Sequence, residues 1–335
     1  MRHVLPLSPN LSISIAIMLA ALCWLSMAPP ARAQSGAAPT ECRVGAYVTA
    51  LHDFDPEAGT FGAVLWLWSV CPTPDRRPLE TMEFVNADDV EVLLDVLEES
   101  SWATRKVRGT FRHDWDERNF PFDRHTLLIQ LEEGDEDARQ FVYEPDTANS
   151  RVAPTLQLPG WRLTNVLLHE STFTYATTFG DPGLLEGGAS EYSRLTLAID
   201  LAREDLSGFF KLTAVVYAAF LFSLISYVMH LETTTAVSPQ VGLLAGALFA
   251  AAVNLVTASG ALGNVSGLTL VDKIHVVVLG YILIAAVVAV VSRILVERGW
   301  QTGAIARLNY RVGLIAAISF VAINVLLIAF AARGG

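Results

Sequence analysis

Charge is the first thing this sequence has little of. Only 17% of its 335 residues are charged and 52% are hydrophobic, and the mean hydropathy is positive, a composition too apolar for an ordinary water-soluble protein. Basic residues are scarcer than acidic ones, 23 against 34, for a net charge of -11, and no basic stripe of the kind a nucleic acid requires is present. The chain also lacks a nucleophile elbow, a phosphate-binding glycine loop and any metal-ligand spacing of His and Cys. No catalytic residue, metal or cofactor is therefore expected. Of only three cysteines, Cys23 falls in the N-terminal leader.

What charge there is sits unevenly. Acidic residues crowd the middle, as in Glu132, Glu133, Asp135, Glu136 and Asp137, while the last third holds very few, so an acidic solvated domain is joined to an apolar one. At the front, Arg2 and His3 precede an apolar core over 13–27, then Pro29, Pro30 and Ala31-Arg32-Ala33. This reads as a secretory signal over 1–33, cut after Ala33; read instead as an uncleaved anchor, it still exports the acidic domain. Cys42 and Cys71 remain as an even pair in a compartment that permits disulfides, and a bond between them is expected.

From Cys42 to Arg203 short alternating apolar stretches are broken by turn residues. Residues 44–48 and 61–70 read as strands joined by a turn over 52–60 that contains Asp55, Pro56 and Gly59. Further strands are expected at 106–113, 126–132, 140–144, 161–175 and 192–200, with a helical period only near 88–99. Seven to ten such strands make an all-β, antiparallel, immunoglobulin-like sandwich over 34–205. The glycine-rich stretch 179–190, with Pro182, should be a long hairpin loop.

After Arg203 the apolar residues run in blocks: 209–229, 241–257, 273–291 and 312–332. Each is long enough to cross roughly 30 Å of hydrocarbon as a helix, which makes 206–335 an all-α four-helix membrane domain. The connection after the third block carries Arg293, Arg298, Arg307 and Arg311 against Glu297, whereas 260–270 has no Lys or Arg. By the positive-inside rule the β domain lies outside.

Between two expected strands stands Asn119-Phe120-Pro121-Phe122-Asp123. On its own this is a proline turn with two aromatics to bury. Its context adds Gly59-Thr60-Phe61 leading into Leu65-Trp66-Leu67-Trp68, then Glu83-Phe84-Val85-Asn86-Ala87, and a last strand over 192–203 that ends in Arg203 just before four helices. Together these resemble the pentameric ligand-gated ion channels, the Cys-loop receptor superfamily, in its prokaryotic branch, over nearly the whole mature chain. His113 and Leu127 stand where the family has its bracketing cysteines, a bridge that bacterial members commonly lack.

The resemblance implies a homopentamer, this chain with four further copies of itself, in the lipid bilayer of the bacterial inner membrane with its N-terminal domain in the periplasm. It implies opening by an unknown small-molecule agonist, or by protons through His52, His113, His125 or His169, with ions as the permeant species. The implied coupling residues are Asp53, Asp55, Phe120, Pro121, Phe122, Asp123 and Arg203, with Asp123 the partner of Arg203 and 263–268 the linker they act on. The implied ligand site sets Trp161, Tyr175, Phe179 and Tyr192 against Trp66 and Trp68 of a neighbour, an aromatic box suited to cationic amines. Trp66 and Trp68 also read as sandwich core.

The second helix would line the pore. One register presents Gly242, Gly246, Phe249, Val253 and Val256; another, one residue earlier, presents Val241, Ala245, Leu248, Ala252 and Leu255. Both faces are wholly apolar, which suits a hydrophobic gate and leaves conduction to be explained. Glu232 lies several residues before the family's cation-selecting position, and Ser238-Pro239-Gln240 resembles the anion-selective members, whereas the acidic outer domain concentrates cations. Val216 and Tyr217 replace the family's proline in the first helix, and Leu262-Gly263 replaces Leu-Pro after the second. The rival reading is a non-conducting receptor or sensor of the same fold, and a small transporter is disfavoured because no intramembrane ionisable residue marks a pathway, Lys211, Asp272 and Lys273 lying near expected helix ends.

Overall fold

The computed structural model describes residues 38–97, 101–181, 188–229, 239–263 and 267–334. The expected leader, Pro182, Glu232 and Ser238 lie outside the described residues. Thr40–Gly335 is one compact unit in which a β region precedes four long apolar helices.

The β region comprises β1 (Thr40–Asp55), β2 (Thr60–Val70), the short helix α1 (Pro78–Thr81), β3 (Met82–Phe84), β4 (Ala87–Leu97), β5 (Trp102–Arg112), β6 (Arg124–Glu133), β7 (Phe141–Pro145), β8 (Arg151–Val152), β9 (Trp161–Tyr175) and β10 (Ser190–Arg203). One sheet runs β4-β5-β2-β1-β7 with β8 beside β1, and the other runs β3-β6-β10-β9. Strand alternation sends Val44, Ala46, Val48, Phe61, Leu65, Leu67, Val107 and Phe111 of the first sheet into one core with Leu127, Ile129, Leu131, Leu195, Leu197 and Ile199 of the second.

Two expectations need correction. The sandwich is not purely antiparallel, because β7 and β8 pair with β1 in parallel. Of the helical period expected near 88–99, the described part, 88–97, is instead strand β4. Val90, Val92 and Val96 are β-branched, a composition that favours strand. Pairing with β5 is reinforced on the polar side by the cross-strand ion pairs Asp88 with Arg112, Glu91 with Arg108 and Asp95 with Arg105. As an edge strand, β4 leaves Val92 and Leu94 half exposed.

The helices are α2 (Ser207–Ser226), α3 (Pro239–Ala261), α4 (Leu270–Glu297) and α5 (Thr302–Gly334), all long and apolar enough to cross a membrane, so the chain is a multi-pass membrane protein. Helix α4 opens on a capping box in which Thr269 Oγ1 accepts from the Asp272 amide and the Asp272 carboxylate accepts from the Thr269 amide. Helices α2, α3 and α4 pack on one another, and α5 packs on the α4 and α2 edge of that triangle. Stacked Phe220 and Phe320, 3.7 Å between ring centroids, join α2 to α5, and Tyr281 Oη with Ser319 Oγ at 2.7 Å joins α4 to α5.

Helix α5 has 33 residues, about 50 Å at 1.5 Å per residue, longer than the hydrocarbon layer. It begins ten residues before the expected 312, so Arg307 and Arg311 belong to its first turns and not to a loop. They remain in the half of α5 far from the β region, the end at which Arg298 caps α4.

Candidate functional site

Two loop ends of the β region meet the helices, and together these contacts fix the helix directions. The β1–β2 turn comes down on the α3–α4 linker: Gly263, at φ +71°, faces the backbone of Pro56 and Glu57, where a Cβ would lie 3.4 Å from the Glu57 nitrogen. The Phe120–Pro121 loop, whose peptide is cis, touches the other three helices. Phe120 packs on Gly208 at the start of α2, the Leu270 amide at the start of α4 donates to Arg118 O at 3.0 Å, and Gly334 at the end of α5 lies against the Asn119 side chain. Successive helices thus run away from, toward, away from and toward the β region, as four crossings of one bilayer require. Phe120 and Phe122 both belong to the apolar cluster of the helices and not to the sandwich core.

Behind this loop runs a buried polar chain. Arg203, the last residue of β10, donates from Nε to both Asp123 oxygens at 2.8 and 3.0 Å, and from Nη2 to Asp123 at 2.9 Å and to Glu117 Oε1 at 2.9 Å. Its guanidinium also stacks 4.2 Å over Trp161 and 4.8 Å from Phe120. On the far side Asp123 receives His125 Nε2 at 3.0 Å, and His125 Nδ1 lies 3.2 Å from His113 Nε2. An ionised carboxylate only accepts, so His125 presents an N–H from Nε2 to Asp123. The His113 amide in turn donates to Gly59 O in the β1–β2 turn, so one run of hydrogen bonds spans from the hairpin to Arg203 at the end of β10.

The charges in this chain follow from burial. Burial works to raise the Asp123 carboxyl, but the hydrogen bonds from His125 and Arg203 together outweigh it and hold the group below its ordinary value. Glu117 goes the other way: burial raises it and Arg203 offsets only part. His113 is pushed down to about 4, by burial first and then by His125.

Some expected site residues fall elsewhere. The Asp53 carboxylate points to His52 Nδ1 at 2.7 Å, and Asp55 accepts from the Ala58 amide to close the turn, so the approach to the linker belongs to Pro56 and Glu57 and not to the two aspartates. Trp161 is at the helix end of β9, in a ring cluster with Phe54, Trp115 and His125, because it pairs with Arg203 across β10 while Tyr175 pairs with Ser190 at the other end. It therefore lies beside Arg203 at the helix end of the sandwich and not beside Tyr175.

Tyr175, Phe179 and Tyr192 do come together, with centroids 5.2 to 6.3 Å apart, around a cleft of about 430 Å³ that Glu83, Glu132 and Glu133 also line. Tyr175 Oη donates to Glu132 Oε2 at 2.9 Å, and the buried Glu133 keeps Oε2 without a hydrogen-bond partner. Trp66 and Trp68 are on the outer face of β2, opposite core Leu65 and Leu67, so neither is sandwich core. Trp68 covers Gly45 and donates to Asp146 at 2.9 Å, and Lys106 sits 5.4 Å from the Trp66 ring.

On α3 the residues Gly242, Gly246, Phe249, Val253 and Val256 are all exposed in the single chain, Phe249 at 72% and Val256 at 75%, whereas Leu248 is half-buried and packs against the helix cluster. That exposed face is rich in Gly and Ala. The exposed face of α5 is bulky, with Ile315, Ile318, Val325, Leu326 and Phe330. His275, inside the third apolar block, has no place in the sequence reading: it is fully buried, with Nδ1 2.8 Å from Val271 O and Nε2 3.2 Å from the Asn254 side-chain amide of α3. A histidine paired with an asparagine in apolar blocks was the available signal. Cys42 and Cys71 form a disulfide between the first strands.

No known family model matches the chain, and no curated protein is detectably similar to it in sequence.

Proposed function

We propose that this chain is a subunit of a homopentameric ligand-gated ion channel of the bacterial inner membrane, with the β domain in the periplasm and α3 lining the pore. The observation that carries the reading is the junction: one hairpin turn and one proline loop of the β region between them touch all four helix ends on that side, with a buried Arg203–Asp123 pair behind them. Such an arrangement makes β-domain displacement and helix displacement one event, which is what a two-state gate needs. It is also what the resemblance to pentameric ligand-gated channels implies.

Two further observations support the pore assignment. The small-residue face of α3 lies away from α5, whose bulky exposed face suits lipid, and a Gly- and Ala-rich face suits close approach of further helices around an axis. The Tyr175, Phe179 and Tyr192 cleft, with an unpartnered carboxylate oxygen on Glu133, suits a small cation as agonist.

The test is mass measurement of the purified assembly together with bilayer recording while amines and pH are varied. A pentamer with ligand-dependent current supports the proposal. A pentamer silent under every condition favours the second reading, a non-conducting sensor, which the wholly apolar α3 face supports. A stable monomer sinks both.

A further inference from the structure

A chamber of about 390 Å³ lies at the junction, between the end of the sandwich and the tops of α2 and α3. Its walls are Phe54, Trp115, Phe120 and Trp161, and Leu212 and Leu262 continue them toward the membrane. Two ionisable groups there are not fully committed. Glu117, 3% exposed, spends Oε1 on Arg203 and leaves Oε2 buried without a partner. Lys211, one turn into α2, stands exposed at the rim. Arg203 is engaged on both nitrogens that face the pair, so Glu117 is the acidic acceptor with spare capacity among the described residues lining this chamber.

Each feature narrows the ligand. Aromatic walls over a carboxylate favour a cation. An acceptor with no partner favours a ligand with an N–H or O–H to give, which a quaternary ammonium lacks. The exposed lysine at the level where α2 enters the bilayer adds an anionic group close to the cation, and the leucines add an apolar continuation. We propose that the junction chamber binds the headgroup of an aminophospholipid, its primary ammonium on Glu117 between the aromatic rings and its phosphate on Lys211. The ligand would then bridge the β region and α2 at the point where the domains meet, so membrane composition would set the stiffness of the junction.

The test uses the full chain in nanodiscs of phosphatidylglycerol, alone or mixed with phosphatidylethanolamine or phosphatidylcholine, with thermal unfolding followed by tryptophan emission. A fourth arm adds free ethanolamine to phosphatidylglycerol alone. Phosphatidylethanolamine should raise the midpoint by several degrees and phosphatidylcholine should not. Glu117→Gln should weaken the ethanolamine lipid about tenfold, the loss expected for one charge-assisted hydrogen bond. Lys211→Ala should weaken the lipid and leave free ethanolamine unaffected. Trp161→Leu gives a second view should Glu117→Gln fold poorly. Tyr192→Ala, in the aromatic cleft, should leave the lipid shift intact, which separates this site from the proposed agonist site. A shift that survives in a folded Glu117→Gln or Trp161→Leu protein, or equal shifts from the two lipids, overturns the proposal. A full shift from free ethanolamine alone overturns the lipid as the source.

Discussion

Removing the charge of Asp123 is the sharpest perturbation available, because the side chain is fully buried and holds three contacts to Arg203 and one to His125. Asp123→Asn keeps the shape and leaves Arg203 with Glu117 as its one carboxylate. Breaking one partner of a buried pair costs about 3–5 kcal/mol. The Arg203 side chain is 16% exposed and keeps its 2.9 Å bond to Glu117, so water and the second carboxylate absorb part of that cost. A loss of roughly 2–3 kcal/mol is expected on these grounds. Arg203→Gln alone should cost more, since it leaves two buried acids, Asp123 and Glu117, facing each other. The double variant should recover part of the sum, with a coupling of at least about 1.5 kcal/mol between the two sites. Denaturant unfolding of the purified full chain in a mild detergent measures all four corners of the cycle. A coupling below about 0.5 kcal/mol, the range of independent sites, would refute the claim that these side chains act as one unit.

Other consequences are equally direct. His113 sits at about 4 in the folded chain against 6.5 for a free side chain, so below pH 6.5 the unfolded chain takes up a proton that the folded one refuses. Its contribution is complete above pH 6.5 and falls away toward pH 4, by at most about 3 kcal/mol, and His113→Gln should flatten the stability profile over that window. Replacing Cys42 and Cys71 by serine opens a loop with a sequence separation of 29 and should cost about 3–4 kcal/mol, read as a lower unfolding midpoint that reductant reproduces in the parent protein. Phe249→Ser, on the exposed face of α3, should raise resting conductance in reconstituted membranes. Leu248→Ser, on the packed side, should lower stability without a leak, and the opposite result would move the pore register by one residue.

Much of this was legible from local pattern. Four blocks of apolar residues announce four helices because hydrocarbon thickness sets a minimum length, and the alternation on β2 and β10 announces strands because side-chain direction has period two. The pairing of Asp123 with Arg203 was reached only through resemblance, since nothing local joins residues eighty apart in sequence. The stretch 87–97 defeated pattern reading. Its apolar and charged residues recur at a spacing that fits either period, and pairing with β5, a tertiary fact, decides between them.

The site was less legible than the fold, and Trp161 shows why. The family resemblance sets it with Tyr175 in one ligand site, although both belong to one expected strand, 161–175. Strand β9 has 15 residues, and at about 3.3 Å each its ends are some 45 Å apart, so two residues at its termini cannot line one cleft. Strand length alone already excluded the joint assignment. What sequence could not supply was which end faces the membrane, and that is decided by β10: its last residue, Arg203, is separated from α2 by three residues and pairs with Trp161. Any aromatic near the start of β9 therefore belongs to the junction, and only those near its end, with Phe179 and Tyr192, remain to form a ligand box. The division leaves each end of the same two strands with its own chemistry, an aromatic cleft with a spare carboxylate at one and a buried ion pair at the other. Strands β9 and β10 pair from the cleft, at Tyr175 and Ser190, to the junction, at Trp161 and Arg203, with one irregularity between Asp200 and Leu201.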